Sequence, residues 1–363
     1  MGFKCGFVGL PNVGKSTLFN YLTKLNIPAD NYPFCTIKSN VGIVPVLDNR
    51  LNKIAQVVCS NKIIPATIEL VDIAGLVKGA YKGEGLGNQF LDHIRDTNVI
   101  MHIVRCFENR YVTHIYGSVD PVRDVQIINL ELILSDIEVC KNRMCKLEIN
   151  KLSHNKQVNK ELLILKKCVY HLEKSKSLRS LNLTEEEIFV INYLRLITLK
   201  PVVYIFNISI DQSRNLYKRE IFDIIKNEHN AKTVNVCLDL MQSSKNDVSA
   251  YDHLSLKYKQ LFNKMLKNVI WAGFNALNLI TFFTAGKKEV HAWTTTNNLF
   301  IFQSVKCIHT DLSKGFIRAQ VISYDDFIKY KGEKRSKELG KIRIEGKRYV
   351  ICDGDIIHVL YNV

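Results

Sequence analysis

The stretch Gly9-Leu10-Pro11-Asn12-Val13-Gly14-Lys15-Ser16-Thr17 follows directly on Lys4-Cys5-Gly6-Phe7-Val8. The apolar run is short enough for a buried strand, and Ser16 through Leu22 opens a helix. A strand, a glycine loop and a helix start in that order aim successive backbone N–H groups at a polyphosphate. Gly9 and Gly14 let the backbone approach a ligand without a Cβ. Lys15 reaches the β- and γ-phosphates, and the Ser16 hydroxyl ligates magnesium. Asn12, Val13, Gly14, Lys15, Ser16 and Thr17 are the expected phosphate-side contacts.

The matching half of such a site lies downstream. Ala66 to Val71 reads as a strand that ends at Asp72, followed by Ile73-Ala74-Gly75. The aspartate is expected to reach magnesium through water, and the Gly75 N–H to sense the γ-phosphate. Gly75, Gly79, Gly83, Gly85 and Gly87 predict a loop that changes shape with the nucleotide. Thr36, in Pro33-Phe34-Cys35-Thr36, is placed to complete the magnesium shell.

Val99 to Val104, Pro201 to Phe206 and Thr233 to Cys237 supply further strands with helical segments between them, giving an α/β fold with a parallel sheet. Residues 121 to 199 interrupt it. Leu130, Leu134, Ile137, Met144 and Leu147 fall at helical spacing, as do Leu162, Leu165, Val169 and Leu172. The two stripes suggest an antiparallel helical hairpin, and Thr184-Glu185-Glu186-Glu187 is a capping box that opens a third helix through Leu196. From Leu279 the chain turns β-rich. Thr281 to Thr284, Val290 to Thr294 and Phe300 to Phe302 read as strands, and Asp353-Gly354 as a turn between β-rich runs. The expected division is 1–120 with 200–278, 121–199, and 279–363.

At 363 residues the chain exceeds one hydrophobic core. Its formal charge is +15, and residues 141 to 180 hold eleven Lys or Arg against three acids, so +8 of that excess sits in one segment. Charge gathered at the turn of the hairpin points to a protruding arm that touches RNA rather than to a buried helical subdomain. No apolar stretch approaches the ~18 residues of a membrane helix, and the loop glycines and lysine break any signal-peptide pattern. The ten cysteines form no Cys-x-x-Cys pair, as expected of reduced thiols in the cytosol. Cys35 stands out by its place beside Thr36.

The loop Gly9 to Thr17, the run Asp72 to Gly87, the segment Lys314-Gly315-Phe316-Ile317-Arg318-Ala319 and Asp353-Gly354-Asp355 together resemble the YchF / Obg-like ATPase family, across essentially the whole chain. The resemblance implies a TRAFAC-class P-loop NTPase domain interrupted by an α-helical coiled-coil domain, then a C-terminal TGS domain of β-grasp form. It also implies a cytoplasmic enzyme that uses magnesium, prefers ATP to GTP, and binds the ribosome through the large subunit or the whole particle. A monomer with no membrane partner is expected.

Base choice and catalysis depart from the better-known GTPases. Guanine-specific relatives carry Asn-Lys-x-Asp where this chain has Asn207-Ile208-Ser209-Ile210-Asp211. Ile210 replaces the acid that accepts both guanine donors, and also the Glu that the resembled family usually has there. Asp211 is one residue late and, in an extended segment, points the other way. Base recognition is expected from the backbone around Ile208 and the Asn207 amide, with ATP favoured and discrimination loose. Leu76 stands where many GTPases place a water-orienting Gln. The resemblance implies that His114 positions the attacking water instead. Asn12 has two open readings: a ligand for an activating potassium ion, or a turn-stabilising Asn after Pro11. Two other functions stay open, a GTP-using Obg-type ribosome-assembly switch and a non-enzymatic RNA-binding scaffold.

Overall fold

The computed structural model describes residues 3–24, 40–73, 87–149, 156–211, 221, 223, 225, 231–240 and 252–362. Strand β1 (Phe3–Val8) leads into helix α1 (Lys15–Thr23). Strand β2 (Val41–Val46), helix α2 (Asn49–Val58), the two-residue strand β3 (Ile63–Ile64) and strand β4 (Ala66–Asp72) follow. Helix α3 (Gly87–Arg95) returns to strand β5 (Val99–Arg105). The helical insertion comprises α4 (Pro121–Ile149), α5 (Lys156–Glu173) and α6 (Glu185–Ile191). Strands β6 (Val202–Asn207) and β7 (Lys232–Val236) complete the first sheet, and α7 (Asp252–Ala276) packs against it.

That sheet has the order β2-β4-β1-β5-β6-β7, parallel throughout except for β2. β5 and β6 are buried along their whole length; β6 reads as an apolar run up to Asn207, and β5 as one interrupted by His102 and ended by Arg105. Register sets Phe7 beside Asp72 and Met101, and Arg105 beside Asn207. The carboxyl ends of four parallel strands therefore meet at one edge, where open α/β sheets take ligands.

Helix α4 serves two cores. Val125, Ile128 and Leu132 join the core of the first sheet, whereas Ile133, Cys140 and Leu147 face Leu162, Leu165, Cys168 and Leu172 of α5. The stripe read from sequence sat partly on the wrong residues: Leu130 is exposed, and the face that meets α5 is anchored on Ile133 and Cys140. A helix with partners on two sides has no single clean apolar period, so one face cannot be picked out by spacing alone. Between the two cores, the fully buried Asp136 accepts from Ile197 N, Thr198 N, Thr198 Oγ1 and Arg95 at 2.7–3.0 Å. The capping box forms as read, with Glu187 N donating to Thr184 Oγ1 and Thr184 N to the Glu187 carboxylate. The third helix ends at Ile191 and passes through a 3₁₀ turn to Leu194, where Arg195 adopts a left-handed conformation and stops it.

The second sheet has the order β11-β10-β12-β8-β9-β3. It is built from β8 (Leu279–Ala285), β9 (Val290–Thr296), β10 (Phe316–Ile322), β11 (Arg343–Glu345) and β12 (Ile356–Tyr361), with β3 of the first part pairing in parallel with β9. Phe300 to Phe302 is not a strand: Ile301–Ser304 is a short helix that buries Ile301. The run before Asp353-Gly354 likewise gives only an isolated bridge between Val350 and Phe300. Phe283, Val290, Ile322, Phe327 and Ile356 share one apolar cluster with Ile54 and Ala55 of α2, so the two sheets close over a common core. Among the described residues, no helix is long and apolar enough to cross a membrane.

Candidate functional site

The glycine loop is shaped by what a side chain would strike. A Cβ on Gly9 would lie 2.5 Å from the Ile103 carbonyl oxygen. One on Gly14 would lie 2.8 Å from both Asn207 Nδ2 and Leu238 Cδ1, and Gly14 has φ +100° besides. Only glycine closes the loop this tightly. Lys15 folds back over it, its ammonium donating to the Gly9 carbonyl at 3.1 Å and the Leu10 carbonyl at 2.7 Å. Burial lowers its pKa to about 8, and the nearby Asp72 carboxylate acts in the opposite direction. Val13 is buried, Thr17 half-buried, and Ser16 exposed at the first turn of α1.

Asp72 ends β4 beside this loop, and its backbone N–H donates to the Asn40 carbonyl at 2.9 Å. Its Oδ1 is buried with no hydrogen-bond partner. A buried acceptor without a donor fits a hydrated cation next to the phosphates. The Ser16 hydroxyl in the first turn of α1 and the Asp72 carboxylate at the end of β4 are oxygen donors of the kind that magnesium takes. Thr36, Gly75, Cys35 and Leu76 lie outside the described residues.

The residues expected at the base also make contacts within the scaffold. Asn207 donates from Nδ2 to the Val13 carbonyl at 3.1 Å and accepts from Leu238 N at 3.5 Å, tying the glycine loop to the end of β7. The side chain thus braces the loop with one of the two hydrogens on Nδ2. Ile208 N–H donates to the Val236 carbonyl at 2.8 Å. Ile210 and Asp211 are the exposed members of the stretch, and with Ser209 and Asp239 they line a cavity of about 1360 Å³.

The opposite wall of that cavity rests on Arg105, which sequence reasoning missed. Its buried guanidinium donates to the carbonyls of Phe107, Asn109 and Val112 at 3.1–3.2 Å, folding the loop after β5 around itself. The available signal was a charged residue at the end of a central strand that is apolar apart from His102.

His114 lines the same cavity. Tyr116 N–H donates to its Nδ1 at 3.2 Å, so Nε2 carries the proton and donates to Asp124 Oδ2 at 2.9 Å. Arg123 holds the other carboxylate oxygen through Nε at 3.3 Å and a terminal nitrogen at 3.2 Å. Burial raises the Asp124 pKa, while His114 and Arg123 act to lower it. Asn12, left-handed at φ 61°, donates from Nδ2 to the Thr113 carbonyl at 3.3 Å and so links the glycine loop to the His114 segment.

Comparison with known proteins fits this arrangement. Residues 279–362 match the YchF-GTPase C-terminal family model, described as a protein of unknown function, and residues 4–151 match a model described as 50S ribosome-binding GTPase. Relatives named Ribosome-binding ATPase YchF align over all of this chain and all of their own length. The one from Buchnera aphidicola subsp. Acyrthosiphon pisum is 50% identical, that of Escherichia coli O157:H7 47%, and that of Bacillus subtilis 42%. The chain belongs to the YchF family. The solved structure of the Schizosaccharomyces pombe YchF GTPase superposes with a TM-score of 0.85 at 34% identity, covering 99% of this chain and 98% of that one. Membership of the YchF family thus rests on the whole length, not on the glycine loop alone.

Proposed function

We propose that this chain is a cytoplasmic, magnesium-dependent ATPase that docks on the ribosome and uses its nucleotide state as a timer. The observation that supports it most directly is the pairing of the unpartnered Asp72 Oδ1 with a glycine loop and Lys15 at the ligand edge of the sheet. The names of the YchF relatives supply the ATP and the ribosome. Water attacks the γ-phosphorus, a new P–O bond forms, the bond to the β–γ bridging oxygen breaks, and ADP leaves while the water's proton passes to the released phosphate.

Lys15 would exchange the Gly9 and Leu10 carbonyls for phosphate oxygens. Backbone N–H groups from Asn12 to Thr17 would line the phosphates, with the Gly75 N–H at the γ-position. Ser16, Thr36 and Asp72 would hold magnesium, which neutralises charge on the β- and γ-phosphate oxygens when bound. His114 is assigned to positioning the water. Asn12 is a candidate potassium ligand, and equal turnover in potassium and sodium buffers would remove that role.

The purine would lie in the cavity beside Ile210, where no carboxylate at that position enforces guanine. The parts are taken as 1–120 with 200–278, 121–199 and 279–363, acting as a monomer. The arm is assigned to RNA: Lys160, Leu163, Lys167 and Tyr170 recur at three- and four-residue spacing along α5, and the ammonium of Lys174, just past its end, sits 4.0 Å over the Tyr170 ring. Competition of ATP and GTP for a bound fluorescent adenine nucleotide tests the assignment. ATP should displace it at the lower concentration; GTP winning clearly would overturn the base choice.

A further inference from the structure

We propose that Asp124 is a positioning residue that keeps the His114 ring from holding a water molecule, and that movement at the root of the arm releases it. The proposal rests on the reading of His114 as the group that positions water. Both ring nitrogens of His114 are already engaged, Nε2 by Asp124 and Nδ1 by Tyr116 N–H, and its side chain is only 3% exposed. A ring in that condition has no free nitrogen for a water molecule. The Arg123 guanidinium closes the set, holding Asp124 and lying 5.1 Å over the Tyr116 ring.

The latch stands on the helix that forms the arm. Asp124 lies in the first turn of α4, which continues without interruption to Ile149. The Asp136 staple to Arg95, Ile197 and Thr198 grips the same helix in between. At 1.5 Å per residue, Asp124 is about 18 Å on one side of that grip and Ile149 about 20 Å on the other. Val125, Ile128 and Leu132 hold the inner half in the core, so a tilt imposed on the outer half reaches the first turn as a small shift, enough to lengthen the 2.9 Å contact between His114 and Asp124. The Asn12 contact with the Thr113 carbonyl keeps the released histidine beside the glycine loop. An arm that engages a ribosome would thus free the ring where the phosphates lie, and idle hydrolysis would stay slow.

The test uses the full chain with ATP, with and without purified ribosomes. Asp124→Asn keeps the shape and weakens the grip, so basal kcat should rise about threefold or more at unchanged KM, and stimulation by ribosomes should shrink by a similar factor. An unchanged or lower basal kcat overturns the latch. His114→Ala separates the two layers: if that variant alone turns over normally, the water-positioning reading fails. If it is inactive while Asp124→Asn is not accelerated, only the latch fails. A readout that needs no variant is acylation of histidine by diethylpyrocarbonate, followed by mass spectrometry of the unaltered chain. His114 should be protected in the free protein and labelled severalfold faster with ribosomes and a non-hydrolysable ATP analogue; equal labelling overturns the proposal.

Discussion

The Arg50 guanidinium lies 2.6 Å from the Asp353 carboxylate, joining side chains 303 positions apart. The same guanidinium holds Asp48, the N-cap of α2, at 2.7–3.1 Å, while Asp353 also accepts from Thr281 N at 2.9 Å. One side chain thus fastens the helix between β2 and β3 to the turn before β12. Arg50→Ala should lower stability by about 1–3 kcal/mol, read as a shift in the urea midpoint. Half-exposure of Asp353 keeps the effect at the low end of that range. Lysine should restore only part of it, because a single ammonium cannot make two paired contacts. An unshifted midpoint in the alanine variant would rule the clasp out.

Gly14→Ala should abolish nucleotide binding. The new Cβ would press within 2.8 Å of Asn207 and Leu238 in a backbone conformation that alanine resists. Calorimetry with ATP should show loss of measurable binding together with a lower melting temperature. Wild-type affinity would contradict the tightness of the loop.

Asn207→Ala tests whether that amide supports the loop or reads the base. Leaving the Val13 carbonyl unpaired and buried should cost roughly 1–3 kcal/mol of stability. Affinity for ATP and for GTP should fall by the same factor, because both need the glycine loop that the amide braces. A loss confined to one purine would assign it to the base.

Acid should unfold the protein earlier than its carboxylates alone would dictate. Burial lowers the pKa of His102 in β5 from 6.5 to about 3, and that of His291 in β9 from 6.5 to about 4. The folded chain therefore binds fewer protons than the unfolded one in this range. The stability they contribute is complete above pH 6.5 and is lost as pH falls through 6.5 toward 3, at a slope of up to roughly 1.4 kcal/mol per pH unit for each ring. Urea midpoints measured at about pH 7 and about pH 5 should differ clearly, and His291→Gln should reduce the difference. Equal midpoints would mean that these rings are not held neutral.

The phosphate end of the site was legible because its parts are contiguous. Nine consecutive residues, Gly9 to Thr17, carry the loop, and Asp72 closes a strand whose alternation is plain. The purine end was not, because it depends on which way side chains turn. Asn207 has the same identity whether or not it also braces Val13, and that contact depends on the register of β6 against β5 and β7. His114 could be singled out from its resemblance, but its partner Asp124 looks like an ordinary acid in a first helical turn. Phe300 to Phe302 misled for a related reason: an aromatic run suits a strand, yet Ile301 buries better as the start of a short helix over the second sheet.

Strand β3 contributes just two residues, Ile63 and Ile64, but it completes the edge of a sheet whose other strands all come from beyond residue 278. Cutting the chain near that point would not yield two tidy halves. The N-terminal fragment would keep a stranded isoleucine pair and a bared flank of α2, and the C-terminal one an unguarded β9. Both pieces would be prone to clump, so any attempt to study the tail on its own should carry residues 48–64 along with it.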